Sequence, residues 1–322
     1  MRLPKARGTL SEQLFTALRE EPGTPVTIDA AVADDAEDRA IALWASYELH
    51  YRGFEDVDDR WEWSPDLLRV RAGLEEVLEA DLRERYAAHR PDRTSDRVED
   101  LAKDLFDYVA AHDGPSMARH VQTDATEAQV MELLRQKSVY HLKEADPSAW
   151  VVPRLPTGPK AALMELQFDE YGDGNPARLH QHLFERGLEA AGLRSEYGAY
   201  VDEAATTVLE ANNVQSFLGL HRRLRAASLG HLAAFEATSS IPSRRMAQGL
   251  ERLGFPDEIV EYYREHVEAD AVHEQLAVRD ICVPLVELEP HLADDVFLGA
   301  FACLDTEDRQ ARDLLARWGV AA

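Results

Sequence analysis

The sequence predicts an all-α fold. Three observations carry that expectation. Apolar residues recur at spacings of three and four through most of the chain, the period of a helix face. No stretch keeps up the apolar–polar alternation with β-branched residues that a half-buried strand needs. Capping residues, glycines and prolines divide the periodic segments at helix-like lengths.

Residues 9–21 form the first helix, with Leu10, Leu14 and Leu18 on one stripe, Thr9 as cap and Pro22-Gly23 as stop. Residues 34–51 form the second, around Ile41, Trp44 and Ala45. The segment 52–64 reads as a loop dense in aromatics and acids, including Trp61 and Trp63. Ser64-Pro65, a cap followed by Pro at the first helical position, opens the third helix. Residues 95–112 form the fourth, closed by Asp113-Gly114-Pro115. Residues 123–144 form the fifth, stopped by Asp146-Pro147. A Pro-rich loop leads to the sixth, 160–171, which Gly172-Asp173-Gly174 breaks. Asn175-Pro176 then caps and starts the seventh, through Leu188. Helical stretches at 202–209, 214–238, 243–253, 257–283 and 293–318 complete the chain, with breaks expected at Pro242, Pro284 and Pro290. The loop at 114–124 divides a smaller N-terminal helical region, 1–120, from a larger one, 121–322.

A chain of 322 residues that is 45% apolar buries a sizeable core. A net charge of −25 argues against a nucleic-acid backbone and against an anionic membrane surface, so neither is an expected partner. The two cysteines, Cys282 and Cys303, form no C-x-x-C pair, which excludes a zinc ribbon and a dithiol redox motif. They read as buried thiols in a reducing compartment. The basic stretch 1–8 has no apolar run after it, and no segment approaches 18 apolar residues. The expectation is a soluble cytoplasmic protein.

Metal-binding chemistry is concentrated in one helical segment. A helix advances about 100° per residue, so His266, Asp270 and His273 fall on one face. Other donors sit on apolar stripes. Glu170 follows Leu163 and Leu166, His180 shares its side with Leu183 and Phe184, and Glu236 follows Leu229, Leu232 and Ala233. Asp169 and Glu165 are rotated away, and Glu144, at a helix end, by itself reads as solvated. Buried acids need a partner. Arg222, Arg223 and Arg225 are close to Glu236 in sequence, so an ion-pair network is the structural alternative to a metal. A ferritin-like site needs two E-x-x-H motifs, and the chain has none.

The runs from Lys143-Glu144 through Glu170-Tyr171-Gly172 and His180, then Gly230-His231 to Glu236, then Glu265-His266 to Asp270 and His273-Glu274 resemble the haem-oxygenase-like di-iron oxidases and oxygenases, the iron-containing redox enzymes. The resemblance starts near Lys137 and implies a haem-oxygenase-like helical bundle. It places metal ligands at Glu144, Glu170, His180, Glu236, His266, Asp270 and His273, with Glu170 as a bridging carboxylate, and implies no catalytic residue beyond them. It implies two Fe(II)/Fe(III) ions, O2 as co-substrate and a peroxo-diferric intermediate. The N-oxygenating branch, which includes N-nitrosourea-forming enzymes, looks nearest. A small amine-containing substrate is therefore expected, with an external electron donor. In that branch an N-terminal helical region dimerises, and residues 1–120, with Trp61 and Trp63 exposed, are expected to form a homodimer interface. A C-terminal cupin is also found there; here a terminal helix follows Pro290, so cupin chemistry is expected to be absent.

The alternatives are oxidative C–C cleavage or desaturation of an amino or fatty acid on the same scaffold, a non-catalytic iron- or haem-binding helical protein, and a thiaminase-like enzyme. Haem needs one axial imidazole rather than many clustered donors. A thiaminase needs an activated thiol, and Cys282 has no evident activating neighbour.

Overall fold

The computed structural model describes residues 1–91 and 97–320, apart from the side chains of Glu99 and of residues 268–271. Among these residues there are helices and turns and no strand, in keeping with the expected all-α class. The α-helices are α1 (Thr9–Leu18), α2 (Ala36–Glu48), α3 (Pro65–His89), α4 (Leu101–Ala110), α5 (Met117–Thr123), α6 (Glu127–His141), α7 (Asp146–Ala149), α8 (Thr157–Glu170), α9 (His180–Ala190), α10 (Thr206–Leu220), α11 (Arg225–Leu253), α12 (Asp257–Gln275), α13 (Val283–Leu288) and α14 (Ala293–Arg317).

Local chemistry sets the starts. Buried Asp38 on α2 accepts from the backbone N–H groups of Leu10 and Ser11, both at 2.8 Å, and so caps α1. Thr126 and Gln129 form a capping box that begins α6. Helices α11 and α12 are antiparallel neighbours because Gly254, at φ 75°, ends α11 in the left-handed conformation.

The axis of the fold is the crossing of α11 and α14. Small residues meet there: Ala226, Ala227, Ala233 and Ala234 against Ala300 and Ala302, all buried. A methyl added at Gly230 would overlap the Val296 carbonyl, and one at Gly299 the Ala227 carbonyl. The N-terminal helices lie on this axis, α2 against α10 and α3 and α4 against α14. Leu10, Trp44 and Leu105 share one hydrophobic core with Leu163, Leu166 and Ala233. A second cluster gathers Leu134, Phe184, Leu250 and Tyr262.

Several boundaries differ from expectation, each because tertiary contact outweighs local propensity. Pro242 does not break its helix; α11 runs through it. One turn earlier Thr238 and Ser239 bond back to the Ala234 and Phe235 carbonyls, contacts that accompany a bend in a helix and not its end. The break falls at His221 instead, where the backbone is extended. Asn175-Pro176 starts only a single 3-10 turn, and Leu179 is extended, so α9 begins at His180. After α12 the chain widens into a π-helix over Leu276–Cys282, packed on α8 and α11. Trp61 is not exposed: it is buried in its own chain, and its indole N–H donates to the Glu20 carbonyl. Trp63 alone of the pair is exposed. No helix among the described residues is long and apolar enough to cross a membrane.

Candidate metal centre

Six of the seven expected donors come together, all buried, in two groups. In one, donor atoms of Glu144, His180 and His266 lie within 4.8 Å of one another; in the other, those of Glu170, Glu236 and His273 do. The seventh, Asp270, has a side chain outside the described residues. Glu170 ends α8, His180 begins α9, Glu236 lies mid-way along α11, and His266 and His273 are two turns apart on α12. The helices α8 and α11 belong to the first core, and α9 and α12 border the second. The centre therefore sits at the seam between the two.

Glu144 corrects the sequence reading. It is not solvated, and it lies beyond the end of α6, in the turn leading to α7. The next residue, Ala145, adopts φ 69°, a left-handed conformation unusual for a residue with a Cβ. The Glu144 carboxylate is held from both sides: the Tyr262 hydroxyl donates to Oε2 at 2.8 Å, and His141 Nδ1 lies 3.0 Å from Oε1.

The groups touch through Glu170, whose carboxylate lies 3.1 Å from His180 Nδ1 and 3.4 Å from His273 Nδ1. Glu236 Oε2 is also 3.4 Å from His273 Nδ1. Neither His180 Nδ1 nor His273 Nδ1 makes a hydrogen bond, although both are buried. The opposite nitrogens are oriented. His266 Nδ1 is 2.7 Å from the Tyr262 carbonyl, so it carries the proton and turns the lone pair of Nε2 toward Glu144. His273 Nε2 is 2.7 Å from Asp169 Oδ2. Metal-ligating histidines are commonly fixed in this way. Asp169, expected to point away, thus orients a donor.

The structural alternative for Glu236 does not hold, because Arg223 pairs with Glu79 and Arg225 with Glu289. Among the described residues Glu144, Glu170 and Glu236 form ion pairs with histidines and with no Lys or Arg. Burial raises the Glu236 carboxyl above its ordinary value, with the Glu170 charge adding to the shift and His273 opposing it. Burial lowers His273, but the carboxylates of Glu236, Glu170 and Asp169 carry it up to about 9. Glu170 likewise raises His180 against the effect of burial, so among the described residues the three buried acids are balanced only by titratable imidazoles, a costly arrangement without a metal. Buried carboxylates converging with the unbonded Nδ1 atoms of His180 and His273 fit a cation such as iron.

Two cavities reach the donors. The larger, about 270 Å³, runs from Glu144 and His266 past Met246 and Phe235 toward Lys137 and Glu307, with His112 and Asp308 paired at 3.0 Å in its wall. The smaller, about 20 Å³, touches Glu170 and Glu236 as well as Glu144 and His266. Both cysteines are fully buried, and burial pushes the Cys282 thiol up to about 12, so it offers no thiolate nucleophile.

The family described as iron-containing redox enzyme matches residues 131–308, more than half of the chain. This chain is a member of that family. The match makes it an oxidoreductase that uses iron, on a haem-oxygenase-like helical fold. A nitrosourea synthase of Streptomyces achromogenes subsp. streptozoticus is 35% identical over 124 residues, 38% of this chain and 26% of that protein. The shared stretch thus spans about a quarter of that relative's length. A CADD-like protein of unknown function from Nostoc punctiforme superposes with a TM-score of 0.55 at 18% identity, covering 70% of this chain and 99% of its own. A second structure of it gives 0.53 at 17%, covering 68% and 95%. Both show the fold.

Sequence reasoning missed Tyr262, His141 and Asp169, which orient the donors. A usable signal was present. Tyr262 precedes His266 by four residues on α12, a spacing that puts the pair on one helical face, and His141 lies three residues before Glu144 at the end of α6.

Proposed function

We propose that this iron-containing redox enzyme is a non-haem di-iron oxygenase, with one ion held by Glu144, His180 and His266, the other by Glu170, Glu236 and His273, and Glu170 shared between them. Asp270 remains a ligand by resemblance alone. The observation that carries this reading is the pair of adjacent buried donor groups, whose acids pair with no Lys or Arg among the described residues. When bound, two Fe(II) ions would supply the two electrons needed to convert an amine and dioxygen to a hydroxylamine and water, and an external donor would restore them.

The protein's part in that chemistry is preorganisation. Tyr262 and His141 fix the Glu144 carboxylate, the Tyr262 carbonyl fixes the His266 tautomer, and Asp169 fixes the His273 ring. The larger cavity brings an organic molecule to Glu144 and His266. Glu307 in its wall offers a carboxylate to a small metabolite carrying an amine, while Asp308 there is already paired with His112. Exposed Trp63 supports a homodimer through the N-terminal helices, and light scattering that gives a monomer at micromolar concentration removes that element.

The test is anaerobic loading followed by oxygen. The chain is expected to bind close to two Fe(II), and mixing with oxygenated buffer should give a transient visible band. An amine that hastens its decay and gains one oxygen supports N-oxygenation. An amino or fatty acid that hastens it and loses carbon or hydrogen moves the reaction to C–C cleavage or desaturation. Absence of both the band and oxygen consumption in the loaded protein leaves a non-catalytic iron protein.

A further inference from the structure

The smaller cavity holds a feature that iron binding alone does not explain. Gln167, one turn before Glu170 on α8, is 1% exposed, and neither its amide oxygen nor its amide nitrogen has a hydrogen-bond partner. The carboxamide is orphaned in either flip state, so misassigned atoms do not account for it. A buried amide with two unmet groups is unfavourable, and native proteins rarely keep one without a use for it. Gln167 lines the smaller cavity together with Glu170, Glu236 and Ser148. A second compartment, also about 20 Å³, continues it past Ser148 and Phe235 toward His231. Burial pushes His231 down to about 4, so that ring is neutral.

Size restricts the occupant. A space of this volume accepts a molecule on the scale of one or a few heavy atoms and excludes an organic metabolite. The two cavities also meet different donors. Glu144, His266 and Phe235 wall both, whereas Glu170 and Glu236 line the smaller one and not the larger.

We infer that the smaller cavity is a binding site for a two- or three-atom inorganic molecule, which accepts a hydrogen bond from the Gln167 amide nitrogen on the Glu170–Glu236 side of the centre. The organic substrate occupies the larger cavity, so the two reactants meet the centre from different sides. Dioxygen is the ligand of this size that the proposed reaction consumes, and azide is the stable probe of the same class. The inference rests on the di-iron reading.

The experiment is azide titration of the iron-loaded, oxidised protein, followed by its charge-transfer absorption, with iron content measured first. Gln167→Leu is expected to keep its iron and to raise the azide dissociation constant at least tenfold. Leu232→Phe, which fills the same cavity from α11, should do likewise. Met246→Phe, which narrows only the larger cavity, should leave the constant within about twofold. Wild-type affinity in both Gln167→Leu and Leu232→Phe overturns the inference while the di-iron reading stands. So does a loss in Met246→Phe equal to theirs. Should Gln167→Leu lose iron, Leu232→Phe decides alone. A wild-type protein that takes up no iron overturns the reading beneath, and this inference with it.

Discussion

Two regions of this molecule bury acids beside histidines, and they settle the charge in opposite ways. In the N-terminal region Glu75 is 7% exposed, with Arg71 at 3.2 Å, His221 at 3.0 Å and the Tyr47 hydroxyl donating at 2.9 Å. Glu48 on α2 faces buried Lys143 at 3.8 Å. Each acid there has a lysine or arginine of the chain beside it. At the centre Glu144, Glu170 and Glu236 are just as buried, and their ion pairs among the described residues are with imidazoles. A histidine gives up its proton to a metal and an arginine does not. The first network is complete when the chain folds, and in the proposed reading the second is completed by ions from outside.

The comparison breaks most sharply on metal content. His273→Ala and Glu170→Ala should each lose at least one of two irons per chain, whereas Glu75→Gln should retain both. Metal analysis after anaerobic loading decides, and two irons in either of the first two variants refutes their assignment as ligands.

The next effect is on stability. Removing one partner of a buried ion pair leaves the other charge stranded, so Glu75→Gln should destabilise the fold by about 3 kcal/mol in urea unfolding. A midpoint equal to wild type would show that Arg71 and His221 do not depend on Glu75.

Proton competition comes third. In the metal-free chain His273 titrates near 9, above the ordinary 6.5. The metal-free fold therefore draws stability from that proton fully below pH 6.5 and loses it as pH rises through about 9. Iron must displace the same proton. Apparent affinity should strengthen by roughly tenfold per pH unit between 6.5 and 9 and level off above. Competition titrations at pH 6.5, 7.5 and 8.5 measure this, and a flat profile contradicts a protonated His273.

The smallest effect has the opposite sign from that at Glu75. Glu236→Gln removes one of two acids sharing an imidazolium, so the metal-free protein should gain about 1 kcal/mol of stability while losing iron. Destabilisation would mean that Glu236 is as fully paired as Glu75.

Much of the centre was legible because its donors interrupt apolar stripes. Glu170 after Leu163 and Leu166, and Glu236 after Leu232 and Ala233, sit where a solvated acid has no reason to be. Glu144 was not legible in this way, since its burial depends on Tyr262, 118 positions further along the chain. Trp61 failed for the same reason: it looked like a loop residue and is buried, with its indole bonded to the Glu20 carbonyl, 41 positions earlier in the chain. At His180 and Pro242 capping chemistry was outweighed by packing. Local pattern reports the face a residue presents within its own helix, and not what another helix brings to that face.

The left-handed backbone at Ala145 bears on when the centre is organised. An alanine there is strained by about 1 kcal/mol relative to a glycine. The fold bears that strain during folding, and in return the Glu144 carboxylate is aimed before any ion arrives. In the proposed di-iron reading less of the binding energy would then go into ordering the turn, and the first ion would meet a rigid receptor instead of a flexible loop. Ala145→Gly would relieve the strain and add a similar amount of unfolded-chain freedom, leaving stability nearly level. What it would release is motion: Glu144 would sample several directions, and the first ion would dissociate faster.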